Sequence, residues 1–586
     1  MSHLRYDARP PRRLPEDGLR PEQWALARTL ARWVEAHGGS PRLATLAARA
    51  ALAEQDGDTA LQLDDEARAA VAGEPLVGDG ATTTPFVLDA GGRFALWRNF
   101  AHEREIAGLV AARRAAAAPL PLAAEVLASL FPGGDPAREG AQRAAVDAVG
   151  GRRLFVLTGG PGTGKTTTVL RMLLRLLRDD IAAADGIAVA APTGKAAQRL
   201  VQSLRQESAR LRDQLPADWA RLLDALPVAE ASTVHRLLGW SPRRGLYGRG
   251  PDSPVEAGVV VIDEASMLDL GQLRALLRAL KPTATLVLVG DADQLDSVGA
   301  GAVFGDLVAV LAAAGAPDLV RLRHSFRADA RLVGVNEAVR DGDPAALAAA
   351  IAAAGGQAQR RPVADPPALQ RELRAWIASL AADGPPPPLP AGAEAAAHAA
   401  GTRLRALAAR QLLCALRDGP FGTVATNAAI EAGLRRHWAL PVDAGWYPGR
   451  VVMVTRNDYG LRLFNGDIGL CLADADGSLR VWFEADGGLR ALAPGALPAH
   501  DAAFAITIHK SQGSEYRHVA LLLPPDPEHR ILSRQLLYTG VSRARESVAL
   551  WAGDAVLATA LARPVRRVGG LVARLQEATP MKQAST

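Results

Sequence analysis

The stretch LTGGPGTGKTTTVLRML, from Leu157 to Leu173, has the residue types and the spacing that bind the phosphates of a nucleotide. It fits the pattern G-x-x-x-x-G-K-[ST], in which glycines allow backbone N–H groups to point at the phosphates. Lys165 is expected to reach the β- and γ-phosphate oxygens, and the Thr166 hydroxyl to bind Mg²⁺. The pattern therefore predicts a site for ATP and Mg²⁺. Its predicted nucleotide contacts are Gly159, Gly160, Pro161, Gly162, Thr163, Gly164, Lys165, Thr166 and Thr167.

Acidic and amide side chains elsewhere in the chain could complete this chemistry. In VVVIDEASML, Asp263 is expected to hold Mg²⁺ through water and Glu264 to deprotonate the attacking water, although adjacent acids also suit a helix start. In LVLVGDADQLDSVGAG, Gln294 is expected to contact the γ-phosphate or the water, with a polar turn as the alternative. Gln142, upstream of the loop, is a candidate partner for the adenine edge. A solvated helix glutamine suits its surroundings equally well.

Four short apolar runs must position these side chains. RLFVLT, GIAVAAP, GVVVID and ATLVLVG are continuous rather than alternating, as expected for parallel strands that are buried on both faces. A turn and an amphipathic stretch follow each run. The pattern predicts a doubly wound α/β domain over residues 113–330, with its ligands at the carboxyl ends of the strands.

A second α/β set is predicted over residues 331–586. Its expected strands are GTVATN, AFAITIHK, HVALLL and SVALWAG. A β-rich insert at about 445–500, with RVVMVT, DIGLCL and LRVWFEAD, predicts a small β-barrel. Ala381–Gly401 is expected to form a linker or an exposed loop. Residues 1–112 are predicted to be mainly helical, with one short strand in TPFVLDAGGRFALWRNF.

The composition is that of a globular protein with several domains. The chain has 586 residues, of which 49% are hydrophobic and 22% charged, and it is too long for a single core. Two cysteines are too few for a disulfide framework, and neither a secretory signal nor an apolar run of membrane-spanning length is visible. A cytoplasmic location is therefore expected. The net charge of +5 suits an anionic partner but is weak evidence for one.

Eight segments occur in the order of the motifs of superfamily 1 helicases. They are GGPGTGKTT, APTGKAAQRL, STVHRLLG, VIDEASML, GDADQLDSVG, HSFRAD, AITIHKSQGSEY and YTGVSRARE, and they cover most of the chain from about residue 140 to 552. Within that superfamily the chain resembles the RecD family, the alpha subunits of exodeoxyribonuclease V (RecBCD). The segments that carry this closer resemblance are AGAVFGDL, LLCALRDGPFG, LFNGDIGLCL and PFVLDAGGRFALWRNFAHEREIA.

The resemblance implies an α/β fold with two RecA-like P-loop motor domains, an SH3-like barrel in the insert and a partner-binding N-terminal domain. It implies a DNA-dependent ATPase and 5′→3′ helicase on single-stranded DNA, acting with RecB and RecC subunits in double-strand break repair, recombination and DNA degradation. Arg327 in HSFRAD and Arg543 in GVSRARE would be arginine fingers that reach the γ-phosphate across the cleft between the motor domains. Arg545 is the alternative to Arg543.

The resemblance also implies a path for DNA over both motor domains. Small hydroxyl, imidazole, amide and lysine side chains would contact DNA without reading its sequence. For Thr193 and Ser511, a helix N-cap is the alternative role. The implied DNA contacts are Thr193, Lys195, His235, Thr507, His509, Lys510, Ser511 and Gln512.

Three other interpretations remain at this point. A stand-alone helicase of the same branch usually carries a helix-hairpin-helix block, which residues 1–112 do not show. A nuclease would need an acidic cluster with a lysine after the motor domains. The sequence shows no such cluster there, so nuclease activity is assigned to a partner subunit. An inactive structural subunit is disfavoured by the intact set of chemical side chains. Relatives often have proline where this chain has Asp296. The difference puts the rigidity of this loop in doubt but not ATP hydrolysis.

Overall fold

The structure is a computed structural model, and its elements form three groups along the chain. An N-terminal domain is followed by a first α/β domain and by a second α/β domain that carries an antiparallel insert. None of the described helices is long and apolar enough to cross a membrane. The described residues are 21–179, 186–226, 232–326, 330–441, 445–458, 460–485 and 488–578.

The N-terminal domain combines helices with a small sheet. Its elements are α1 (Pro21–Ala36), α2 (Pro41–Gln55), β1 (Leu61–Gln62), α3 (Asp65–Val71), β2 (Val77–Gly78), β3 (Phe86–Leu88), β4 (Arg93–Leu96) and α4 (Trp97–Ala115). The strands pair in the order β1-β4-β3-β2. Where one strand was predicted there is a hairpin of β3 and β4, and Phe86 and Phe94 stack 5.2 Å apart between it and the helices.

Helix α4 belongs to two domains at once. The boundary expected at residue 112 falls inside it. Ile106 and Val110 on α4 are buried in the same hydrophobic cluster as the central strands of the first α/β domain. The Arg113 guanidinium donates to backbone carbonyls of that domain. The N-terminal domain is therefore attached to the first α/β domain through a shared helix rather than through a flexible linker.

The first α/β domain has a six-stranded sheet in which every pairing is parallel. Its elements are α5 (Ala124–Ser129), α6 (Pro136–Ala148), β5 (Leu154–Gly159), α7 (Lys165–Arg178), β6 (Ile187–Ala191), α8 (Gly194–Arg212), α9 (Ala217–Ala225), β7 (Ser232–Thr233), α10 (Val234–Leu237), β8 (Trp240–Ser241), β9 (Leu246–Tyr247), β10 (Val259–Ile262), α11 (Leu270–Ala279), β11 (Thr285–Gly290), α12 (Val303–Ala313) and β12 (Leu319–Leu322). The sheet order is β12-β5-β11-β10-β6-β7, while β8 and β9 form a separate hairpin. The four strands predicted for this domain are confirmed, and their carboxyl ends lie at one edge of the sheet.

The second α/β domain has a five-stranded parallel sheet with the order β13-β22-β21-β14-β20. The elements of this domain and of its insert are α13 (Ala330–Asp341), α14 (Pro344–Ala353), β13 (Ala358–Arg361), α15 (Pro366–Ala381), α16 (Ala393–Leu407), β14 (Arg410–Cys414), α17 (Thr423–His437), β15 (Val451–Val454), β16 (Ile468–Ala473), β17 (Leu479–Ala485), β18 (Gly488–Leu492), β19 (His500–Ala502), β20 (Ala505–Thr507), β21 (Tyr516–Leu522), α18 (Arg534–Val541), β22 (Ala544–Trp551), α19 (Asp554–Ala562) and α20 (Leu571–Ala578).

Two predictions for this half of the chain are wrong. GTVATN is not a strand but the first turns of α17, and the strand in its place is the earlier RQLLC of β14. The run is too short for its period to separate a strand from a buried helix. The second half of the expected linker Ala381–Gly401 lies in α16, because its alanines favour a helix.

The insert is a five-stranded antiparallel sheet with the strand order β18-β17-β16-β15-β19. One of its faces encloses a small cluster that includes Val452, Cys471 and Phe483. After the insert, the chain completes the parallel sheet with β20, β21 and β22. The last helix, α20, then leaves this domain and packs against α4 and α12.

Candidate functional site

The phosphate-binding loop lies between β5 and α7, at the edge of the sheet where ligands were expected. β5 is buried along its whole length and ends at Gly159, and α7 begins at Lys165. Gly162 and Gly164 have φ values of 76° and 81°, which glycine adopts without steric cost. A Cβ atom at Gly164 would lie 2.3 Å from Nε2 of Gln142. The glycines of the motif are therefore required by the turn itself.

Side chains of this loop are bound to its own backbone. Lys165 Nζ donates to the carbonyl oxygens of Gly159 at 2.7 Å and Gly160 at 3.1 Å. The Thr163 hydroxyl donates to the Gly160 carbonyl at 2.8 Å. Gln142 is buried, and its Nε2 donates to the Thr163 carbonyl at 3.2 Å, so it supports the loop from behind. The remaining predicted contacts, which are part-buried in the same turn, are Pro161, Gly162, Gly164, Thr166 and Thr167.

The acidic pair, Asp263 and Glu264, directly follows β10, which lies two strands from β5 in the same sheet. Glu264 has a φ of 51°, an unusual conformation for a residue other than glycine that costs about 1–3 kcal/mol and often marks a functional site. Its backbone N–H donates to Asp263 Oδ1 at 2.9 Å. Burial, and then the Glu264 charge, raise the pKa of Asp263 to about 6, while Lys165 opposes the shift. A crowded carboxylate pair beside a lysine is suited to a divalent cation.

Gln294 and Asp291 form the third part of the site, in the turn after β11. Gln294 Nε2 donates to Asp291 Oδ2 at 2.8 Å, and its Oε1 is buried without a hydrogen-bond partner among the described residues. The Tyr538 hydroxyl, on α18 of the second domain, donates to the same Asp291 oxygen at 3.2 Å. A Cβ atom at Gly160 would lie 2.9 Å from that hydroxyl. The phosphate-binding loop, the Gln294 turn and the second domain therefore meet at one point.

A cleft of about 300 Å³ opens beside this point. The loop lines one wall, and Tyr538, Arg321, Arg323 and Arg340 contribute to the others. The sequence analysis did not identify these four residues. The spacing of Arg321 and Arg323, which places both on one face of an extended segment at the end of β12, was the available signal. Cations around a phosphate site are suited to a triphosphate substrate.

The two candidate arginine fingers of the last motif differ in their surroundings. Arg543 is buried, and its Nε and Nη1 donate to the carbonyl oxygens of Thr539 at 3.0 Å and Ser514 at 3.2 Å, both in its own domain. Arg545 is half exposed and forms an ion pair with Glu515 at 2.6 Å. The third candidate, Arg327, lies outside the described residues. Arg543 thus lies in the interior of the second domain, and its bond to Thr539 places it one residue from Tyr538 of the cleft wall.

The expected DNA contacts of the first domain lie around the starts of α8 and α10. The Thr193 hydroxyl accepts a hydrogen bond from the Ala196 N–H at 3.2 Å, so it caps α8, the alternative considered for it. Burial lowers the pKa of Lys195 to about 8. His235 packs against the rings of Trp240 and Tyr247, at 5.7 and 5.9 Å.

In the second domain, three of the expected DNA contacts remain accessible. The Thr507 hydroxyl accepts from the Lys510 N–H at 3.3 Å. Lys510 is exposed, and its Nζ donates to Asn465 of the insert at 2.7 Å. His509 is part-buried, and burial lowers its pKa. The insert therefore extends to the same face as these residues.

Ser511 and Gln512 are in a different position from the expected one. Ser511 is fully buried, and its hydroxyl donates to the Ile508 carbonyl at 2.6 Å rather than capping a helix. Gln512 is also buried, and its Nε2 donates to the Leu295 carbonyl of the first domain at 3.0 Å. The short 3₁₀ turn at His509–Ser511 buries Ser511 against its own backbone, while Gln512 directly after it reaches the first domain.

Comparisons with known proteins agree with this geometry. Residues 142–300 match the AAA domain family, and residues 502–551 match the UvrD-like helicase C-terminal domain. The chain is 29% identical to the ATP-dependent RecD2 DNA helicase of Deinococcus radiodurans over 69% of its own length and 48% of that protein.

Greater similarity is found to curated RecBCD enzyme subunits named RecD. The chain is 38% identical to the RecD subunit of Mycobacterium tuberculosis, over 80% of its own length and 77% of that protein. It is 40% identical to the RecD subunit of Mycolicibacterium smegmatis, over 75% of each chain. At this identity and coverage, the chain belongs to the RecD family.

Proposed function

We propose that the chain is an ATP-dependent DNA helicase that moves 5′→3′ on single-stranded DNA. One observation carries the proposal. The phosphate-binding loop and Tyr538 of the second domain line one cleft, and the Tyr538 hydroxyl bonds the same Asp291 oxygen as Gln294. Membership of the RecD family supports the substrate and the direction.

The residues of the first domain would bind and orient ATP. Lys165 exchanges its contacts with loop carbonyls for the β- and γ-phosphates. Thr166 and the crowded Asp263 would hold Mg²⁺, which supplies charge neutralisation on the phosphates when bound. Glu264 accepts the proton of the attacking water. The unpartnered Oε1 of Gln294 accepts a hydrogen bond from that water, while Nε2 remains on Asp291.

The second domain would complete the site when the cleft closes. Arg543, and Arg327 from the linking segment, stabilise the negative charge that develops on the transferred phosphoryl group. Because these cations and the phosphate-binding loop belong to different parts of the chain, hydrolysis and release change the distance between the two domains. That movement is the power stroke of translocation.

DNA would cross the exposed edge of both domains. Lys195 and Lys510 attract its phosphates, and Thr193, His235, Thr507 and His509 contact its backbone. The insert, which we propose is an SH3-like barrel, reaches this edge, since a Cβ atom at Gly194 would lie 2.9 Å from the ring of Phe464. Gln512, which bonds the Leu295 carbonyl of the first domain, transmits closure between the domains, and Ser511 supports the turn that holds it.

We further propose that the chain works as a subunit with RecB and RecC in the cytoplasm, in double-strand break repair and recombination. The curated relatives at 38–40% identity are RecBCD subunits. Residues 1–112 would bind the partners, and the nuclease site would belong to a partner subunit. A stand-alone helicase of the same branch is the second candidate, supported by the RecD2 similarity at 29% identity.

The test is Lys165→Gln in the full chain. DNA-stimulated ATP hydrolysis should fall by more than about 10²-fold, because the variant loses the lysine cation that would stabilise the transferred phosphoryl group. Unwinding of a duplex with a 5′ overhang should cease. Lys281→Gln is the matched control, since Lys281 forms a surface ion pair with Glu256 away from the cleft. Normal turnover by Lys165→Gln would refute the assignment of the loop.

A further inference from the structure

The loop that carries Gln294 is held from its far side by a segment near the C-terminus. We call residues 291–301 the sensor loop and residues 563–570 the C-terminal strap. Arg567 of the strap donates from Nη1 to the carbonyl oxygens of Gly299 at 2.7 Å and Gly301 at 3.0 Å. Its Nη2 donates to the Ser297 carbonyl. One guanidinium thus satisfies three backbone acceptors of a loop that has no regular structure to satisfy them.

Arg567 is itself fixed by a charge on the same loop. Its Nε lies 4.0 Å from Asp296 Oδ2, and its side chain is only 14% exposed. A planar guanidinium with five donors can hold this arrangement, whereas a lysine ammonium cannot reach three carbonyls at fixed angles. The geometry is that of a built contact rather than of a mobile surface arginine.

The N-terminal domain supplies the other side of this contact. The Gly57 carbonyl accepts a hydrogen bond from the Gly301 N–H at 2.8 Å. A Cβ atom at Gly57 would lie 2.5 Å from Cζ of Arg567, so the glycine packs against the guanidinium. The strap also binds this domain directly, because Val568 N–H donates to Asp58 Oδ1 at 2.8 Å. Arg567 is therefore clamped between the N-terminal domain and the sensor loop.

The opposite end of the sensor loop contacts the second domain. The Leu295 N–H donates to the Thr539 hydroxyl at 2.9 Å, and its carbonyl accepts from Gln512. Gln294 precedes Leu295 directly, and only two residues separate Gln294 from Ser297. A shift of the carbonyls that Arg567 holds is therefore passed towards Gln294 through only two residues.

We infer that Arg567 is a positioning residue for Gln294, which it holds in place through the carbonyls of the sensor loop, and that the N-terminal domain maintains this position through Gly57. The inference rests on the proposed ATPase function. It makes the N-terminal domain a part of the hydrolytic unit. The competing explanation is that Arg567 only attaches the strap and affects stability alone.

The first experiment compares Arg567→Lys and Arg567→Ala with wild type in ATP hydrolysis on oligo(dT), together with the thermal midpoint of each protein. The lysine variant keeps the charge near Asp296 and is measured so that a folding defect of the alanine variant does not end the test. We expect kcat to fall by about 3- to 30-fold in Arg567→Lys, with KM for ATP changed less than about twofold. Arg566→Ala is the control, since Arg566 is exposed in the same strap.

A double-mutant cycle separates positioning from attachment. If Arg567 acts through Gln294, then Arg567→Lys should cause no further loss of kcat in a Gln294→Ala background, because both changes disable the same group. The inference would be overturned if the fold-losses of kcat in the two single variants multiplied in the double variant. It would also be overturned if Arg567→Lys lowered the thermal midpoint but left kcat unchanged. Either result would leave the proposed function intact. A wild-type chain that does not hydrolyse ATP on DNA would overturn both.

The role of the N-terminal domain is tested with two glycines of similar conformation. Gly57 has φ +101° and contacts Arg567, whereas Gly73 has φ +83° and open space around its Cβ position. Both alanine variants carry backbone strain within the N-terminal domain. Gly57→Ala should lower kcat as Arg567→Lys does, and Gly73→Ala should not. Equal kcat values in the two glycine variants would show that the N-terminal domain has no part in positioning Gln294.

Discussion

Tyr538→Phe removes one hydroxyl from the point where the two α/β domains meet. That hydroxyl donates to Asp291 Oδ2 at 3.2 Å, next to the 2.8 Å bond from Gln294. Burial and the Asp291 charge raise the pKa of Tyr538 well above its usual range, so it remains a donor. A hydrogen bond to a charged group contributes about 1.5–3 kcal/mol. We expect this bond to hold the two domains together in the closed cleft, so its loss should lower kcat by about 10- to 100-fold.

The assay is steady-state ATP hydrolysis on single-stranded DNA, with kcat and KM determined separately. Tyr447→Phe is the matched control. Tyr447 is also buried, and its hydroxyl donates to a carboxylate, Glu431, at 3.4 Å, but both residues belong to the second half of the chain and lie away from the cleft. Equal changes of kcat in the two variants, or no change in Tyr538→Phe, would refute the argument that closure is transmitted through this hydroxyl.

Three further predictions concern single side chains. Glu264→Gln should bind a fluorescent ATP analogue normally but hydrolyse ATP slowly, because Asp263 is retained; an equal loss of binding would make Glu264 a metal ligand. Arg543→Ala should abolish unwinding of a 5′-overhang duplex while single-stranded DNA binding at fixed salt persists, and Arg545→Ala should unwind normally. The reverse result would show that Arg545 is the arginine finger. Burial, and then nearby carboxylates, raise the pKa of Asp306 from 3.8 to about 7. The folded chain therefore retains a proton that the unfolded chain loses, and the thermal midpoint should fall as the pH rises from about 4 to about 7. Asp306→Asn should flatten that decline, and an unchanged slope would exclude Asp306 as its cause.

The motor sheets could be predicted where a local pattern determines the structure. β5, β6, β10 and β11 are continuous apolar runs, and such runs are typical of parallel strands that are buried on both faces. The pattern failed at GTVATN, because six residues with two threonines and a valine have no period that separates a strand from a helix. Tertiary context decides that case, since Asn427 on α17 binds the backbone of Ala505 on β20 through both its amide nitrogen and its oxygen.

The site was predictable to the extent that its chemistry lies within short motifs. Lys165, Asp263 and Gln294 meet because each follows the carboxyl end of a parallel strand. Tyr538 was not predicted, because its role depends on how the second domain is oriented and no local spacing encodes that orientation. The burial of Ser511 and Gln512 was not predicted for the same reason, since it follows from a one-turn 3₁₀ segment and, for Gln512, from a contact with the first domain.

The position of Asp296 also depends on distant contacts. A proline there would stiffen the sensor loop by fixing φ, and an aspartate does not. In this chain Asp296 lies 4.0 Å from Arg567, and the same arginine binds three carbonyls of the loop. Rigidity that a proline would supply within the loop is thus supplied by a residue 271 positions later in the sequence (567 minus 296).

The shared helix α4 determines how the role of the N-terminal domain can be tested. A truncation after residue 112 would cut α4 and remove Ile106 and Val110 from the core of the first α/β domain. It would also remove Gly57 from the sensor loop. Loss of partner binding and loss of ATP hydrolysis would then occur together, and neither could be assigned to a cause. Changes on the exposed face of α1, where Leu26 is 53% and Trp33 38% exposed, leave both contacts in place and so test partner binding alone.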